Sequence, residues 1–428
     1  MKRSLIDSLK ENKVSKISGF VDKVRDTRYM VFVMLRDTSS FIQVSLDKEL
    51  NANLIEDALK LTQGSVVSFE GVMKVNPNVK NGGKEFIPSK IEIVTIANPM
   101  PIDNEANIDS RLNYRWVDLR SEKNQLIFKV QSYFVNAMRS YLLDNDFVEI
   151  HTPKFIATAS ESGSEVFEVK YFDGKAYLAQ SPQFYKQMAM AAGFEKYFEV
   201  APCFRAEKSR TRKHATEFTS FDVEISFIDS YEDVMNLEAE MLTYALKKTK
   251  EKYGQKLEEL YGITLNVPTL PFPMMRLADI YDELEKRYGF KVDDSEKTDL
   301  TTEAERLCEK LAKDKFNHEF LFVTDFPADK RAFYHMRQNG HLQGYDLIWK
   351  GIEITSGAQR EHRLNELAKN AKEKGLIKDV EFYLEFFKYG MPAHGGFAIG
   401  VDRLTMILLN IPIKEAQFLF RGPDRLTP

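Results

Sequence analysis

Hydrophobic and polar residues alternate along much of the N-terminal part of the chain, and turn-forming residues interrupt the alternation. A period of two places every second side chain on one face, which predicts β-strands. Between the third and fourth of these segments, residues 50–61 instead carry apolar side chains at helical spacing. We therefore predict one helix there and five strands, over 16–25, 29–36, 41–46, 65–75 and 86–96.

Five strands with one helix after the third is the order of an OB-fold, a small Greek-key barrel that often binds oligonucleotides. Phe32, Phe41 and Gln43 fall on its second and third predicted strands, on the face that such barrels use for binding. Aromatic rings there can stack unpaired bases, worth ~1–3 kcal/mol for each base. The alternative is that both rings belong to the core, so the pattern predicts an oligonucleotide-binding module and no more.

A proline-containing boundary follows this module. Pro99 and Pro101 end the last predicted strand, because proline cannot donate a backbone hydrogen bond. The polar segment after them is predicted to be a hinge. The predicted domains are therefore an OB module over 1–100, a hinge over 101–124 and a larger α+β domain over 125–428.

The larger domain begins with a long amphipathic helix. Apolar residues recur at helical spacing over 125–143, and the segment after them leads into Pro153. Short strands follow, with further helices predicted over 183–192 and 231–253. The charged segment 254–316 is predicted to be an insertion.

Composition limits the kinds of protein this chain can be. Cys203 and Cys308 are the two cysteines of 428 residues and are far apart, which excludes a disulfide framework and a cysteine-rich zinc site. No apolar run approaches the ~18 residues of a membrane span, and the N-terminus has no signal-peptide pattern, so we expect a cytoplasmic protein without a membrane partner. A net charge of −4 excludes a uniformly basic surface but allows a local basic groove.

Three groups of residues carry candidate chemistry. The first is Arg205 and Glu207 at a predicted strand end, followed by the loop 208–214, which has five cations if His214 is counted. A guanidinium can bind a carboxylate or phosphate through two hydrogen bonds, and a basic loop beside it suits a polyphosphate. The alternative is a solvated turn.

The second group consists of Asp346, Glu353 and Ser356, on two predicted strands around a turn. Oxygen donors of this kind suit Mg²⁺ that bridges phosphates, although two acids on a hairpin can also be plain surface residues. The third group is the glycine-rich segment 395–403, which ends in Arg403 and leads into an apolar helix. Glycines there allow a flat ligand to approach closely, but such a turn alone is weak support.

The order of these groups resembles the three motifs of the class II aminoacyl-tRNA synthetases. The resemblance covers essentially the whole chain and is most specific to the aspartyl-tRNA synthetases of the short archaeal and eukaryotic type, in 181–187, 356–362, 390–396 and 421–428. It implies an α+β fold, in which an OB-fold barrel precedes a catalytic domain built on an antiparallel β-sheet flanked by helices. It also implies ATP and Mg²⁺.

The resemblance implies a role for each matching residue. Arg205 and Arg403 would be catalytic, since they orient the reacting groups and neutralise developing charge. The residues that would bind ATP are Arg205, Glu207, Lys213, His214, Ala215, Phe218, Glu353, Gly400, Val401, Asp402 and Arg403. Those that would hold Mg²⁺ are Asp346, Glu353 and Ser356. The family usually has arginine where this chain has Lys213, which puts the contact to the terminal phosphate in doubt or shifts it to Arg212.

Aspartate is the amino acid that the charges favour. By resemblance, its binding residues would be Glu161, Gln183, Lys186, Arg205, Ser356 and Arg360. A side-chain carboxylate buried without partners would cost several kcal/mol, and Lys186 and Arg360 supply two cations. Asparaginyl enzymes have no lysine at the position of Lys186, and lysyl enzymes would need acids.

The predicted macromolecular partner is tRNA(Asp), with tRNA(Asn) left open. The anticodon would be read on the OB module by Phe32, Gln43, Lys80 and Glu85. Lys80 matches a lysine of the members that are strict for tRNA(Asp), so we expect a strict enzyme. The helix before Pro153 resembles the element through which these enzymes dimerise, which predicts a homodimer that sedimentation would detect.

Three alternatives remain from the sequence. An asparaginyl-tRNA synthetase is the nearest. A non-catalytic RNA-binding paralogue would lose motif residues, whereas Arg205, Glu207, Glu353 and Arg403 are all present. An ammonia-dependent asparagine synthetase shares the catalytic fold but lacks an N-terminal OB module.

Overall fold

The computed structural model describes residues 1–80, 82–103, 105–158, 165–208, 211, 213–328 and 331–428 of the chain. These residues form two compact units, Met1–Val117 and Asp118–Pro428. The division between the units falls within the segment 101–124, for which the sequence predicts a hinge.

The first unit contains a barrel. Its elements are β1 (Val14–Asp26), β2 (Met30–Arg36), β3 (Phe41–Asp47), α1 (Ala52–Lys60), β4 (Val66–Val75) and β5 (Lys84–Thr95). The strands close in the order β1-β2-β3-β5-β4. All neighbours are antiparallel except β3 and β5, which make a short parallel pairing. The OB-fold predicted from the sequence is confirmed.

The alternation of residues explains why these strands form a barrel. Val31, Val33 and Leu35 of β2 point inward and are fully buried, while the residues between them are partly exposed. Leu54 and Ala58 of α1 join the same core. Each buried aliphatic side chain contributes about 1.5–3 kcal/mol, so a one-residue slip of any strand would cost several such contributions.

Two short helices occupy part of the segment 101–124, α2 (Ile108–Asn113) and α3 (Arg115–Asp118). The side chain of Asn107 caps α2 by accepting a hydrogen bond from the backbone N–H of Ser110 at 2.9 Å. The described residues of this segment are therefore partly helical.

The second unit is larger and is built on one wide sheet. Its elements are α4 (Glu122–Asp144), β6 (Val148–Glu149), β7 (Phe155–Ile156), β8 (Glu168–Tyr171), β9 (Gly174–Leu178), α5 (Gln183–Ala191), β10 (Lys196–Phe204), β11 (Glu217–Ser226), α6 (Tyr231–Tyr261), β12 (Met274–Arg276), α7 (Leu277–Tyr288), α8 (Thr302–Phe316), β13 (Phe320–Thr324), β14 (Arg337–Gln338), β15 (His341–Leu342), β16 (Gly344–Trp349), β17 (Ile352–Gln359), α9 (Leu364–Glu373), α10 (Glu381–Phe386), β18 (His394–Gly400), α11 (Val401–Leu409) and α12 (Ile413–Ala416).

Among the described residues, eight strands form this sheet, in the order β12-β13-β16-β17-β18-β11-β10-β6. The six central strands are antiparallel to one another, and the edge strands β12 and β6 pair in parallel with β13 and β10. Helices α5, α6 and α11 pack against the sheet, and α4 packs on α6 and α11. The predicted antiparallel sheet flanked by helices is confirmed, with parallel pairing at its two edges.

The segment 254–316 contributes to this sheet. It contains the end of α6, the edge strand β12 and the helices α7 and α8. Leu277, Ile280, Cys308 and Leu311 share a core with Ile348 of β16. The segment therefore packs directly on the strands that carry the predicted metal ligands.

Two further expectations concern the whole chain. Cys203 and Cys308 are buried free thiols, so neither belongs to a disulfide. Within the ranges that the structure describes, every helix is too short or too polar to cross a lipid bilayer.

A buried carboxyl group joins α6 to the sheet. Glu238 is fully buried, and its Oε2 accepts a hydrogen bond from the hydroxyl of Tyr345 on β16 at 2.7 Å. Burial raises the pKa of Glu238 from 4.5 to about 7. The cause is desolvation, which disfavours the charged form of the carboxyl.

This pKa predicts that the protein loses stability as the pH rises from 4.5 to about 7. The folded state binds the proton of Glu238 more tightly than the unfolded chain, so the contribution is complete below 4.5 and is lost through the folded pKa. It amounts to about 3 kcal/mol. Glu238→Gln stays neutral, and its melting temperature relative to the native protein should be higher at pH 8 than at pH 5. Glu251→Gln, an exposed change on the same helix, is the control, and an equal difference at both pH values for Glu238→Gln would contradict the prediction.

Candidate active site

One cavity of about 350 Å³ brings together residues that are far apart in the sequence. Its walls come from α5, β11, β17, β18, the start of α11 and the segment that follows β10. The predicted site residues that line it are Gln183, Lys186, Arg205, Glu207, Lys213, His214, Ala215, Phe218, Glu353, Ser356, Arg360, Gly400, Asp402 and Arg403.

The other predicted catalytic-domain residues lie elsewhere. Asp346 contacts Ser356 from the neighbouring strand, behind the cavity wall. Val401 is buried at the start of α11 and does not line the cavity. Glu161 and Arg212 lie outside the described residues.

Arg205 and Phe218 form one end of the cavity. β10 and β11 are antiparallel, so the residues after β10 lie beside the start of β11. The Arg205 guanidinium lies 5.3 Å from the centre of the Phe218 ring, and its Nη1 is 3.8 Å from Oε1 of Glu207. A flat cation over an aromatic ring, with a carboxylate beside it, can bind a purine and a phosphate together.

His214 also belongs to this end. Its Nε2 lies 3.9 Å from Oε2 of Glu207. Burial and the neighbouring charge of Arg403 lower the pKa of His214 below its ordinary value. His214 is therefore a neutral hydrogen-bonding group in this cavity at neutral pH.

Four charged side chains form the opposite end. Lys186 is 1% exposed, and its ammonium lies 3.2 Å from Asp222 and 3.3 Å from Glu224. The Nε of Arg360 donates to Glu224 at 2.9 Å, and its Nη2 donates to the carbonyl of Gly396 at 2.8 Å. The cations predicted to face a substrate carboxylate are thus already paired with two buried acids.

Their electrostatics follow from this pairing. Burial alone would raise the pKa of Glu224, but the charges of Arg360 and Lys186 lower it below its ordinary value. Lys186 directs its donors to the two acids and to the carbonyl of Phe397 at 3.4 Å. The Nη1 of Arg360 has no hydrogen-bond partner among the residues that the structure describes. Arg360 therefore keeps donors for a ligand.

A hydrogen-bonded chain fixes Gln183 at the base of this end. Its Nε2 donates to Gln187 at 2.9 Å, and Gln187 in turn donates to Nε2 of His394 at 2.8 Å. The Nδ1 of His394 donates to the carbonyl of Pro392 at 2.8 Å, and burial lowers the pKa of His394 to about 4. A neutral imidazole with one donor and one acceptor satisfies both contacts.

The predicted metal ligands lie on β16 and β17. Asp346 and Ser356 are opposite each other in the register, and the hydroxyl of Ser356 donates to Oδ1 of Asp346. The Nη2 of Arg331 binds Oδ2 of Asp346 at 2.6 Å. Burial raises the pKa of Asp346, and burial together with Asp346 raises that of Glu353 to about 7. Arg331 thus already supplies a cation to Asp346, and no ion pair to Glu353 is formed among the residues that the structure describes.

Close packing holds these strands in place. A Cβ at Gly357 would lie 2.4 Å from the ring of Tyr345, so only glycine fits between the strands. Asp402 accepts hydrogen bonds from the backbone of Thr219 at 3.0 Å and from Gln417 at 3.1 Å. Arg403 donates to the carbonyl of Glu353 at 3.1 Å. β11, β17 and α11 are thereby joined around the cavity.

Four charged residues of the site were missed by sequence reasoning: Asp222, Glu224, Arg331 and Glu305. Asp222 and Glu224 are two residues apart and therefore share one face of β11, and acids at such spacing were a signal that could have been used. Arg331 and Glu305 carry no local signal, because each reaches the site from a segment distant in sequence. Glu305 lies in the predicted insertion, and its Oε2 is 2.9 Å from the ammonium of Lys213.

The predicted anticodon residues lie on the barrel of the first unit. Phe32 and Phe41 are partly exposed on its outer face and are absent from its core, so the core alternative is wrong. The Arg25 guanidinium lies 4.6 Å from the Phe32 ring. Gln43 on β3 pairs with Glu85 on β5.

Glu85 and Lys80 are the other two predicted residues of this surface. The Oε1 of Glu85 accepts a hydrogen bond from Asn76 at 2.8 Å. Lys80 is exposed between β4 and β5. Three of the four predicted residues thus lie on the neighbouring strands β2, β3 and β5.

Comparison with known proteins agrees with both parts of this description. A family model for class II tRNA synthetases (D, K and N) matches residues 107–420, and one for the OB-fold nucleic acid binding domain matches residues 15–94. An aspartate–tRNA(Asp/Asn) ligase of Methanopyrus kandleri is 40% identical over 425 residues, with 96% of each chain covered. An aspartate–tRNA(Asp) ligase of Pyrococcus furiosus is 40% identical over 427 residues, again with 96% of each chain covered.

A solved structure gives the same result for the fold. The asparaginyl-tRNA synthetase of Pyrococcus horikoshii, complexed with asparaginyl-adenylate, superposes with a TM-score of 0.91 at 30% sequence identity, and the match covers 100% of both chains. The fold, the motifs and these matches together show that the chain belongs to the class II tRNA synthetases of the D, K and N family.

Proposed function

We propose that the protein is an aspartate–tRNA ligase. It activates L-aspartate with ATP to aspartyl-adenylate and transfers the aspartyl group to tRNA(Asp). The observation that carries this proposal is the cavity itself, which has a nucleotide end at Arg205 and Phe218 and an amino-acid end where Lys186 and Arg360 are balanced by two buried acids. The similarity to proteins named aspartate–tRNA ligases supports it.

The first step would use the residues of the cavity as follows. Arg205 binds the substrate carboxylate and the α-phosphate, while Phe218 and Arg403 hold the adenine between them. A carboxylate oxygen of aspartate forms a bond to the α-phosphorus, the bond to the leaving oxygen breaks, and pyrophosphate departs. No protein nucleophile takes part, so the chain contributes by positioning and by neutralising charge.

The second step uses the same cavity. The terminal ribose hydroxyl of tRNA attacks the aspartyl carbonyl, an ester forms, and AMP leaves. Arg205 remains in contact with the phosphate that departs. Transfer therefore requires the RNA end to reach the cavity while the adenylate is held.

Mg²⁺ fits the residues on β16 and β17. Glu353 and Ser356, with Asp346 behind them, offer oxygen donors only. Burial raises the pKa values of both carboxyls, and a cation at Glu353 would favour its charged form. The described residues contain no group of three or more histidines, cysteines and acids that could hold a metal alone. Phosphate oxygens of ATP would complete the set, and the bound ion would neutralise the triphosphate.

Removing one proposed ligand should therefore raise the metal requirement. Glu353→Gln keeps the size of the side chain and loses its charge. We expect aspartate-dependent ATP–pyrophosphate exchange by this variant to need several-fold more Mg²⁺ for half-maximal rate. Glu366→Gln, an exposed change on α9, should behave like the native protein. An unchanged magnesium titration for Glu353→Gln would remove Glu353 from the metal site.

The choice of amino acid is tested by the same exchange reaction with aspartate, asparagine and lysine. The native protein should use aspartate. In Lys186→Met, Asp222 and Glu224 lose a cation and repel a substrate carboxylate. The KM for aspartate should therefore rise by a factor that corresponds to a loss of about 2–4 kcal/mol of binding free energy. The KM for ATP should stay the same. Asparagine carries no side-chain charge and should be affected less.

A matched control separates binding from stability. Lys154 forms a similar ion pair with the buried Glu199 at 2.8 Å and does not line the cavity. Lys154→Met should lower the melting temperature but leave the KM for aspartate unchanged. If exchange proceeds with asparagine rather than aspartate in the native protein, the proposed substrate is wrong.

The proposed RNA contact is tested on the first unit. Phe32→Ala should weaken aspartylation of tRNA(Asp) by ~1–3 kcal/mol, because a base loses its stacking partner, and leave pyrophosphate exchange intact. Phe20→Ala, on β1 of the same barrel, is the control. Loss of pyrophosphate exchange in Phe32→Ala would show that the ring has a structural role.

A further question is whether the enzyme charges tRNA(Asp) alone or tRNA(Asn) as well. The relatives include proteins named for tRNA(Asp) alone and for both tRNAs. On the strength of Lys80 we propose a strict enzyme, and the native protein in the same assay should charge tRNA(Asn) far more slowly than tRNA(Asp). The homodimer and the cytoplasmic location stay predictions from the sequence.

A further inference from the structure

A carboxylate from the predicted insertion reaches the nucleotide end of the cavity. Glu305 on α8 is 8% exposed, and its Oε1 and Oε2 accept from the ammonium of Lys213 at 3.1 and 2.9 Å. Its Oε1 also accepts a hydrogen bond from the backbone N–H of Glu353 at 2.7 Å. One side chain thus joins a predicted phosphate-binding lysine to the main chain of a predicted metal ligand.

The helix that carries Glu305 is firmly placed. Ala304, Cys308 and Leu311 are fully buried in the core that α8 shares with the sheet. The turn between β16 and β17 fits closely against the helix: a Cβ at Gly351 would lie 3.0 Å from the carbonyl oxygen of Arg306, and its φ is +71°. The Glu305 carboxylate is therefore held by packing and not only by its ionic partner.

A bulge in β17 explains why the backbone N–H of Glu353 can bind Glu305. Leu347 pairs with Thr355 and Ile348 pairs with Glu353, so β17 has one extra residue, Ile354, at this point. Such a bulge disrupts the ladder of backbone hydrogen bonds locally and redirects the neighbouring side chains. Glu305 accepts the N–H of Glu353, and Arg403 donates to its carbonyl at 3.1 Å. Both peptide groups around Glu353 are thereby fixed.

We propose that Glu305 is a positioning residue for ATP, acting through Lys213 and the main chain of Glu353. This inference rests on the proposed function. Lysine is a flexible point charge, and a free lysine must lose its rotational freedom when it binds a phosphate. Glu305 orders the ammonium before ATP arrives, and the three N–H donors of Lys213 allow a terminal phosphate to bind beside the carboxylate.

Two opposing effects of Glu305 on ATP affinity are distinguished by the direction in which the Kd changes. A carboxylate also competes with phosphate for the same ammonium, so removing it could strengthen ATP binding. If ordering outweighs competition, Glu305→Gln should raise the Kd for Mg²⁺–ATP about 5- to 20-fold, measured by calorimetry without amino acid. The KM for aspartate in the exchange reaction should stay within a factor of two.

Two further variants make the measurement specific. Glu303→Gln removes an exposed charge from the first turn of the same helix. It should leave the Kd for Mg²⁺–ATP and the KM for aspartate unchanged. Lys213→Met should raise the Kd for ATP at least as much as Glu305→Gln does. In the double variant, Glu305→Gln should add little to Lys213→Met, because residues that act through each other are not additive.

An equal or lower Kd for ATP in Glu305→Gln, or a fully additive double variant, overturns the proposal. If Glu305→Gln does not fold, Glu305→Asp keeps the charge and shortens its reach by one methylene, with the same expected rise. ATP binding without amino acid is independent of which amino acid is used. A native protein that binds ATP in this way but shows no aspartate-dependent exchange would refute the proposed function and leave the role of Glu305 standing.

Discussion

The balance of buried charge beneath the cavity is the constraint on which the rest of the site depends. Lys186 and Arg360 could not remain buried without Asp222 and Glu224, since an unpaired ion in a protein interior costs several kcal/mol. The four groups come from α5, β11 and the end of β17, so the requirement to pair them fixes these elements relative to one another. The nucleotide end is held in place as well, because Phe218 lies near the start of the strand that carries both acids.

The site is also supported by the segment 254–316, in which no motif was recognised from the sequence. Segment 254–316 adds an edge strand to the sheet and packs α8 against the β16–β17 turn. This packing fixes the strand that carries Glu353 and Ser356. A charged stretch that looks peripheral in the sequence therefore stiffens the strands that carry the predicted metal ligands, and its Glu305 binds Lys213 of the cavity wall directly.

Much of the fold follows from local patterns. The alternation on β2 and the helical spacing of α1 predict the barrel, and the order of the motif residues predicts most of the cavity wall. Predictions failed where the determining interaction is long-range. Arg331 binds Asp346, and Glu305 binds Lys213, across distances in sequence that no periodicity encodes. The helix α6 continues to Tyr261, past the predicted end at 253, because its last turns remain amphipathic and Leu257 is buried.

The same charge balance bears on how the site distinguishes aspartate from asparagine. Two cations and two acids already neutralise each other, so the pocket has no surplus charge to attract a carboxylate from a distance. Discrimination must come from donors that point into the cavity. Lys186 has three N–H groups and three acceptors close by, whereas Nη1 of Arg360 has no partner among the described residues. We therefore expect Arg360 to be the first partner of a side-chain carboxylate, while Lys186 balances the acids. A carboxylate offers two charged acceptor oxygens to the donors of Arg360, whereas an amide offers one neutral acceptor and an NH₂ group that cannot accept.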